Sequence, residues 1–213
     1  MHIDYLALML VNFTAGLALL ACWIYLDAGR PAEKRWIPGF AVCGLLALIL
    51  GLNMVFNWPL PGVQNALYGG MSVLFGTLLL GLVLVVWFES DLLPLAVFAA
   101  IAGLASLIAG IQVIRLGAVP SPVLIGAGFI WLGVTGLGAV PMMRLRGAYA
   151  FNVFGAVALL VALVIWGIIG YKACWERLEP ALKWNPPRRE EPVAAVGHPA
   201  TPPPHSLSAV SPF

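Results

Sequence analysis

The chain has 213 residues, of which 62% are hydrophobic and only 9% charged, with a mean hydropathy of +0.97 and a formal net charge of +2. Soluble domains carry roughly 25% charged residues, so a water-soluble globular protein is excluded, and so small a net charge gives no reason to expect a nucleic-acid partner. The class that remains is an all-α integral membrane protein whose first partner is the lipid bilayer.

Charge positions mark the spans. Asp4 and Asp27 enclose 22 uncharged residues, Trp36 to Phe88 is a run of 53 without a charge, and Asp91 and Arg115 enclose 23. At about 1.5 Å per residue, 22 helical residues reach ~33 Å, enough to cross a hydrocarbon core of ~30 Å. Six transmembrane helices are expected, at about 5–26, 36–57, 67–88, 92–114, 121–143 and 149–173. The runs are continuous and lack the alternation of a barrel strand, which requires helices.

The first span is not expected to be a cleaved signal. Met1-His-Ile-Asp-Tyr5 has no Lys or Arg and carries an acid, which is wrong for the basic start of a signal peptide. Leu19-Leu-Ala-Cys22 resembles a lipoprotein cleavage box, but the bulky Trp23 follows it and the basic start is missing.

Between the second and third spans lies Asn57-Trp-Pro-Leu-Pro-Gly62. Pro59 and Pro61 cannot continue a helix and Gly62 permits a bend. Trp58, Tyr68, Tyr5, Tyr171 and Trp175 fall near one membrane boundary, and Trp23, Tyr25, Trp36, Trp87 and Tyr149 near the other, which reads as an aromatic belt at each interface. Arg30, Lys34, Arg35, Arg144 and Arg146 lie on one side of the spans, against Arg115 on the other. The positive-inside rule then gives N-out and C-out. The cations after the sixth span, Lys172, Arg177, Lys183, Arg188 and Arg189, lie on the sparse side and oppose this orientation.

Gly44-Leu-Leu-Ala-Leu-Ile-Leu-Gly-Leu-Asn53 aligns with Gly103-Leu-Ala-Ser-Leu-Ile-Ala-Gly-Ile-Gln112, with five of ten positions matched at an offset of 59. A tandem repeat relating the helix 2–3 hairpin to the helix 4–5 hairpin would produce this match, through a pseudo-two-fold axis along the membrane normal. The abundance of Leu, Gly and Ala in all membrane helices is the alternative source of the match. Ala102, Ser106 and Gly110, and the glycines 126, 128, 133, 136 and 138, form small-residue faces suited to close helix approach, within the chain or against another subunit. The chain divides into a six-helix transmembrane domain, 1–176, and a disordered Pro-rich tail, 177–213, with nine prolines.

Groups able to do chemistry are scarce. His2, His198 and His205 all lie outside the spans, and no Asp, Glu, Lys or Arg lies in the middle of any span. That argues against a buried haem held by paired imidazoles, against a proton relay and against an intramembrane hydrolase. Cys22, Cys43 and Cys174 have no metal-binding spacing. No catalytic residue, cofactor or metal is expected.

Amides and hydroxyls remain, and most map to the half of the membrane that holds the 58–66 loop. Asn12, Asn53, Asn57, Gln64, Asn65, Tyr68, Gln112 and Arg115 form a candidate polar pocket roofed by residues 57–68, for a quinone or lipid headgroup or a small neutral solute. The alternative is hydrogen bonding between helices, on average ~0.6 kcal/mol per bond, with Arg115 a snorkelling end residue.

Ile3-Asp-Tyr-Leu-Ala-Leu-Met-Leu-Val-Asn12 followed by Ala15-Gly16, then Asn57–Gly62, then Met71-Ser-Val-Leu-Phe-Gly76, resembles domain-of-unknown-function family 981 over residues 3–176. The resemblance implies a multi-helix fold in a prokaryotic plasma membrane, and it brings no activity or catalytic residue. The expected function is a non-catalytic accessory or scaffold subunit of a larger membrane complex, such as a respiratory or electron-transfer complex. The alternatives are a transporter or permeation protein for a small neutral solute, or a quinone- or lipid-binding protein.

Overall fold

In the computed structural model, residues 5–27, 34–59, 64–117, 119, 121–144 and 149–182 are described. They form seven α-helices: α1 Tyr5–Asp27, α2 Ile37–Asn57, α3 Gln64–Phe88, α4 Leu93–Leu116, α5 Pro122–Leu137, α6 Ala139–Arg144 and α7 Tyr149–Leu182. Six segments are long and apolar enough to cross a bilayer: 6–26, 34–57, 64–88, 93–116, 122–143 and 152–175. The expected spans are reproduced to within a few residues. Two details differ. The fifth span is two helices, α5 and α6, meeting at Gly138. The last helix runs to Leu182, six residues beyond the expected domain boundary at 176. Residues 183–213, the rest of the expected tail, lie outside the described residues.

The helices associate as three antiparallel pairs, α2 with α3, α4 with α5 and α1 with α7. The α1–α7 pair joins the other two through α1–α2 and α5–α7 contacts, and a sparser α3–α4 contact closes the ring. One end carries the 3-10 turn Lys34–Trp36, the turn after α3 and the α5–α6 break, and is called the Lys34 end below. The other carries the α2–α3 and α4–α5 connections and is called the Asn57 end.

Apolar residues cover these helices on every side, so hydrophobicity does not choose the inward face. Ile49, Phe56, Ile101, Leu116 and Val164 are all exposed. Small residues and shape choose it instead, as expected where lipid is as apolar as leucine. In the α2–α3 hairpin Gly44 meets Gly76 and Gly51 meets Gly69. In the α4–α5 hairpin Gly103 meets Gly133 and Gly110 meets Gly126. A Cβ on Gly76 would stand 2.8 Å from the Gly44 carbonyl oxygen, and one on Gly110 2.6 Å from that of Gly126. Each hairpin adds one buried hydroxyl bond between its glycine contacts. Ser72 Oγ donates to the Ala47 carbonyl and Ser106 Oγ to the Phe129 carbonyl, both at 2.8 Å. At the offset of 59, Ala47 corresponds to Ser106, so the two bonds run in opposite directions across equivalent places.

Aromatic rings hold the three pairs together. Phe13 of α1 touches Phe75 of α3 and Trp166 of α7, with centroids 4.4 and 5.0 Å apart. Phe129 of α5 lies 4.8 Å from Trp166 and 6.0 Å from Tyr68. These edge-on and tilted contacts are the geometry that ring quadrupoles favour. Two members of the expected aromatic belts therefore turn inward: Tyr68 and Trp23 are each only 5% exposed. Both fill space beside Phe rings, Tyr68 against Phe129 and Trp23 edge-on to Phe40. Tyr25, Trp87, Trp58, Tyr171 and Trp175 are exposed at the helix ends, as a belt requires.

Candidate functional site

The eight polar residues singled out in the sequence occupy the Asn57 end but do not converge. Asn12 is buried on α1 and donates through Nδ2 to the Cys43 carbonyl at 2.9 Å, tying α1 to α2. Asn65 is fully buried and engaged, and Tyr68 lies in the aromatic core. Asn53 and Gln64 are half-buried, while Asn57, Gln112 and Arg115 are exposed. Four residues of the expected roof, 60–63, lie outside the described residues. The void found at this end is about 20 Å³, bounded by Met9, Phe13, Ser72, Phe129 and Trp166 among others. Of the eight residues only Tyr68 reaches it, and its volume is near that of one water position.

A larger space lies in the opposite half, toward the Lys34 end. It is about 350 Å³, within the range of small-molecule sites, roughly 300–1,000 Å³. Leu17, Leu20, Trp23 and Ile24 of α1 form one wall and Met71 to Leu82 of α3 the next. The first half of α4, the end of α5, α6 and the start of α7 complete it. The space lies where Ala99 and Ala102 on α4 and Ala158 on α7 present little side-chain volume, while the nearby glycines are closed off, Gly103 against Gly136 and Gly155 against Met142. Past the break at Gly138, Met142 and Met143 of α6 line the space. Methionines adapt to irregular contents better than branched side chains. Trp131, Val134 and Phe154 of the lining are 38, 52 and 74% exposed, so the cavity is continuous with the lipid-facing surface on that side.

The lining has no charged side chain. Its polar atoms are few, and most are already bonded. Ser106 Oγ is held by Phe129, Thr135 Oγ1 donates to the Leu132 carbonyl at 2.8 Å, and Trp131 Nε1 donates to the Ala158 carbonyl at 2.8 Å. Trp23 also belongs to the wall, but its Nε1 is itself buried and, like that of Trp166, has no hydrogen-bond partner among the described residues. Such a wall can take up a hydrocarbon body. It carries no carboxylate, imidazole, amine or thiol, and no group of three or more metal-ligating side chains occurs among the described residues.

The expected polar pocket lies toward the Asn57 end and this cavity toward the other; polar side chains mark the first in the sequence, and small residues that read as packing faces are the one signal of the second.

The family described as "Protein of unknown function (DUF981)" matches residues 1–179, and the chain belongs to that family. No curated protein and no solved structure matches the chain.

Proposed function

We propose that this DUF981 member is a non-catalytic membrane protein that holds a lipid-like molecule in the cavity between its helix pairs. The observation that carries the reading is the 350 Å³ uncharged cavity, continuous with the lipid-facing surface. An occupant entering from the bilayer needs no aqueous path, and an apolar wall binds it through dispersion contacts. A quinone belongs to the same ligand class. The prokaryotic plasma membrane, with both termini outside, is the setting in which we place it.

Two other readings stand beside this one. An accessory or scaffold subunit of a larger membrane complex, such as a respiratory or electron-transfer complex, drew on the scarcity of chemical groups, the glycine-rich faces and the proline-rich tail of the sequence; of these, Gly103, Gly110, Gly126 and Gly133 face their own hairpin partners. The transporter reading drew on the amides of the Asn57 end, and Asn12 bonds α2 while Gln112 is exposed. The matched glycine contacts of the two hairpins support the tandem-repeat reading.

The test is extraction of the protein from its native membrane in mild detergent, followed by mass spectrometry of what stays bound. A defined lipid-like molecule should accompany the wild-type chain and be lost from Ala102→Phe, whose ring fills the cavity. Equal recovery of the same molecules from both proteins would refute the proposal.

A further inference from the structure

The cavity occupies one half of the membrane, and its depth limits what fits it. On α1 the wall begins at Leu17, near the middle of the span 6–26, and runs to Ile24 toward the Lys34 end. On α4 it runs from Leu92, at the Lys34 end, and stops at Ser106, near the middle of the span 93–116. On α3 it extends from Met71 to Leu82, which is ~16 Å of helix at about 1.5 Å per residue. Half of a hydrocarbon core of ~30 Å is the reach of the chains of one leaflet. Volume limits their number. A methylene takes about the space of a water, ~30 Å³, so 350 Å³ holds on the order of a dozen carbons, one chain and not two. The wall has nothing to offer a polar head. The hydroxyls of Ser106 and Thr135 and the indole N–H of Trp131 are bonded within the protein, and Trp23 Nε1 is itself buried. A carbonyl or an ion drawn into this space would lose water without gaining a partner among the described residues, which is costly.

Resting on the ligand-binding reading above, we infer that the cavity takes one acyl chain of a lipid from the leaflet at the Lys34 end and leaves that lipid's ester and headgroup outside, in the interface. The chain enters sideways past Val134 and Phe154, which are 52 and 74% exposed on the lipid-facing side. Its methyl end lies beside Phe75 and Ser106, at mid-membrane. Selection is by the chain and not by the head. A quinone ring is disfavoured, because its two carbonyls would meet no uncommitted donor on the described wall.

The experiment uses the full chain in phosphatidylcholine nanodiscs with photoreactive probes, each carrying a single diazirine. Three are phosphatidylcholines, with the diazirine near the end of an acyl chain, near its ester, or on the headgroup. The last is decyl-benzoquinone with the diazirine beside the ring. Cross-linked residues are located by tandem mass spectrometry. The chain-end probe should label Leu74 and Ala102, and the near-ester probe Leu82 or Leu95, both saturating near one lipid per protein. Unlabelled phosphatidylglycerol of the same chain should compete as well as phosphatidylcholine. The headgroup and quinone probes should label none of these residues. Labelling of them by the headgroup or quinone probe, or competition that depends on the headgroup, overturns the acyl-chain inference while the cavity reading stands. If no probe labels any of them, both fall. Ala102→Phe should abolish the saturable labelling of Leu74, and undiminished labelling in the folded variant also sinks both. The wild-type map carries the test even where Ala102→Phe fails to fold.

Discussion

Replacing Gly76 by alanine tests how this bundle is held together. Gly76 sits where α3 crosses α2, and an added Cβ would stand 2.7 Å from the Leu48 amide nitrogen and 2.8 Å from the Gly44 carbonyl oxygen. Both are backbone atoms, which cannot rotate aside, so the helices must separate by several tenths of an ångström. Overpacking of this kind costs about 1–3 kcal/mol, and rigid neighbours place it in the upper half of that range. Separation also stretches the nearby Ser72–Ala47 hydrogen bond, worth about 0.6 kcal/mol on average. Against this, Gly→Ala in a helix returns about 0.8–1.0 kcal/mol of propensity. The expected net loss is about 2 kcal/mol, near 30-fold in the folding equilibrium. Gly70, on the same helix, has nothing within 4 Å of an added Cβ, so Gly70→Ala should be neutral or stabilising by up to ~1 kcal/mol. Reversible denaturation by SDS in bicelles, followed by tryptophan fluorescence, measures both. A Gly76→Ala protein as stable as Gly70→Ala would refute the claim that backbone contact at these glycines sets the fold.

The remaining predictions concern single side chains. Ser72→Ala and Ser106→Ala should each cost about 0.6 kcal/mol, and no more than ~1.7, with similar values because the bonds occupy equivalent places in two hairpins; the same denaturation assay checks this. Asn12→Leu removes the tie to the Cys43 carbonyl and should lower stability by a comparable amount, without altering what the protein binds, as read by mass spectrometry. The Lys34–Glu89 ion pair spans 3.6 Å between side chains 62 and 75% exposed, so Glu89→Gln should change the thermal midpoint little, within the ~0–1 kcal/mol typical of surface pairs. Ala102→Phe should leave stability unchanged or raise it, since filling a cavity commonly adds about 0.5–2 kcal/mol; a thermal midpoint several degrees below wild type would count against a real void.

The spans were legible because charges in a bilayer are confined to its boundaries, and Asp27, Glu89, Asp91 and Arg115 marked those boundaries directly. Part of the glycine packing was legible too, since Gly44, Gly51, Gly103 and Gly110 stand out in sequence, but their partners Gly76, Gly69, Gly133 and Gly126 could be named only from the fold. Burial was the least legible property. Tyr68 and Trp23 carry the polar tips that usually seek the interface, yet neighbouring Phe rings draw both inward. The cavity could not be read because it is made of what is missing. Ala99, Ala102 and Ala158 say nothing alone, and only the packing of α4 and α7 around one depth turns their small size into a space. The break at Gly138 was hidden for a related reason, as a glycine among many in an apolar run.

The central claim is that the Lys34 half of the bundle holds a lipid-like molecule. The most direct test is a high-resolution structure of the protein in nanodiscs made from its native membrane. The account predicts an elongated density in the cavity, its body running past Phe75 toward Ser106. Met142, Leu78 and Leu95 closed on one another, with no space left between α1, α4 and α7, would contradict it.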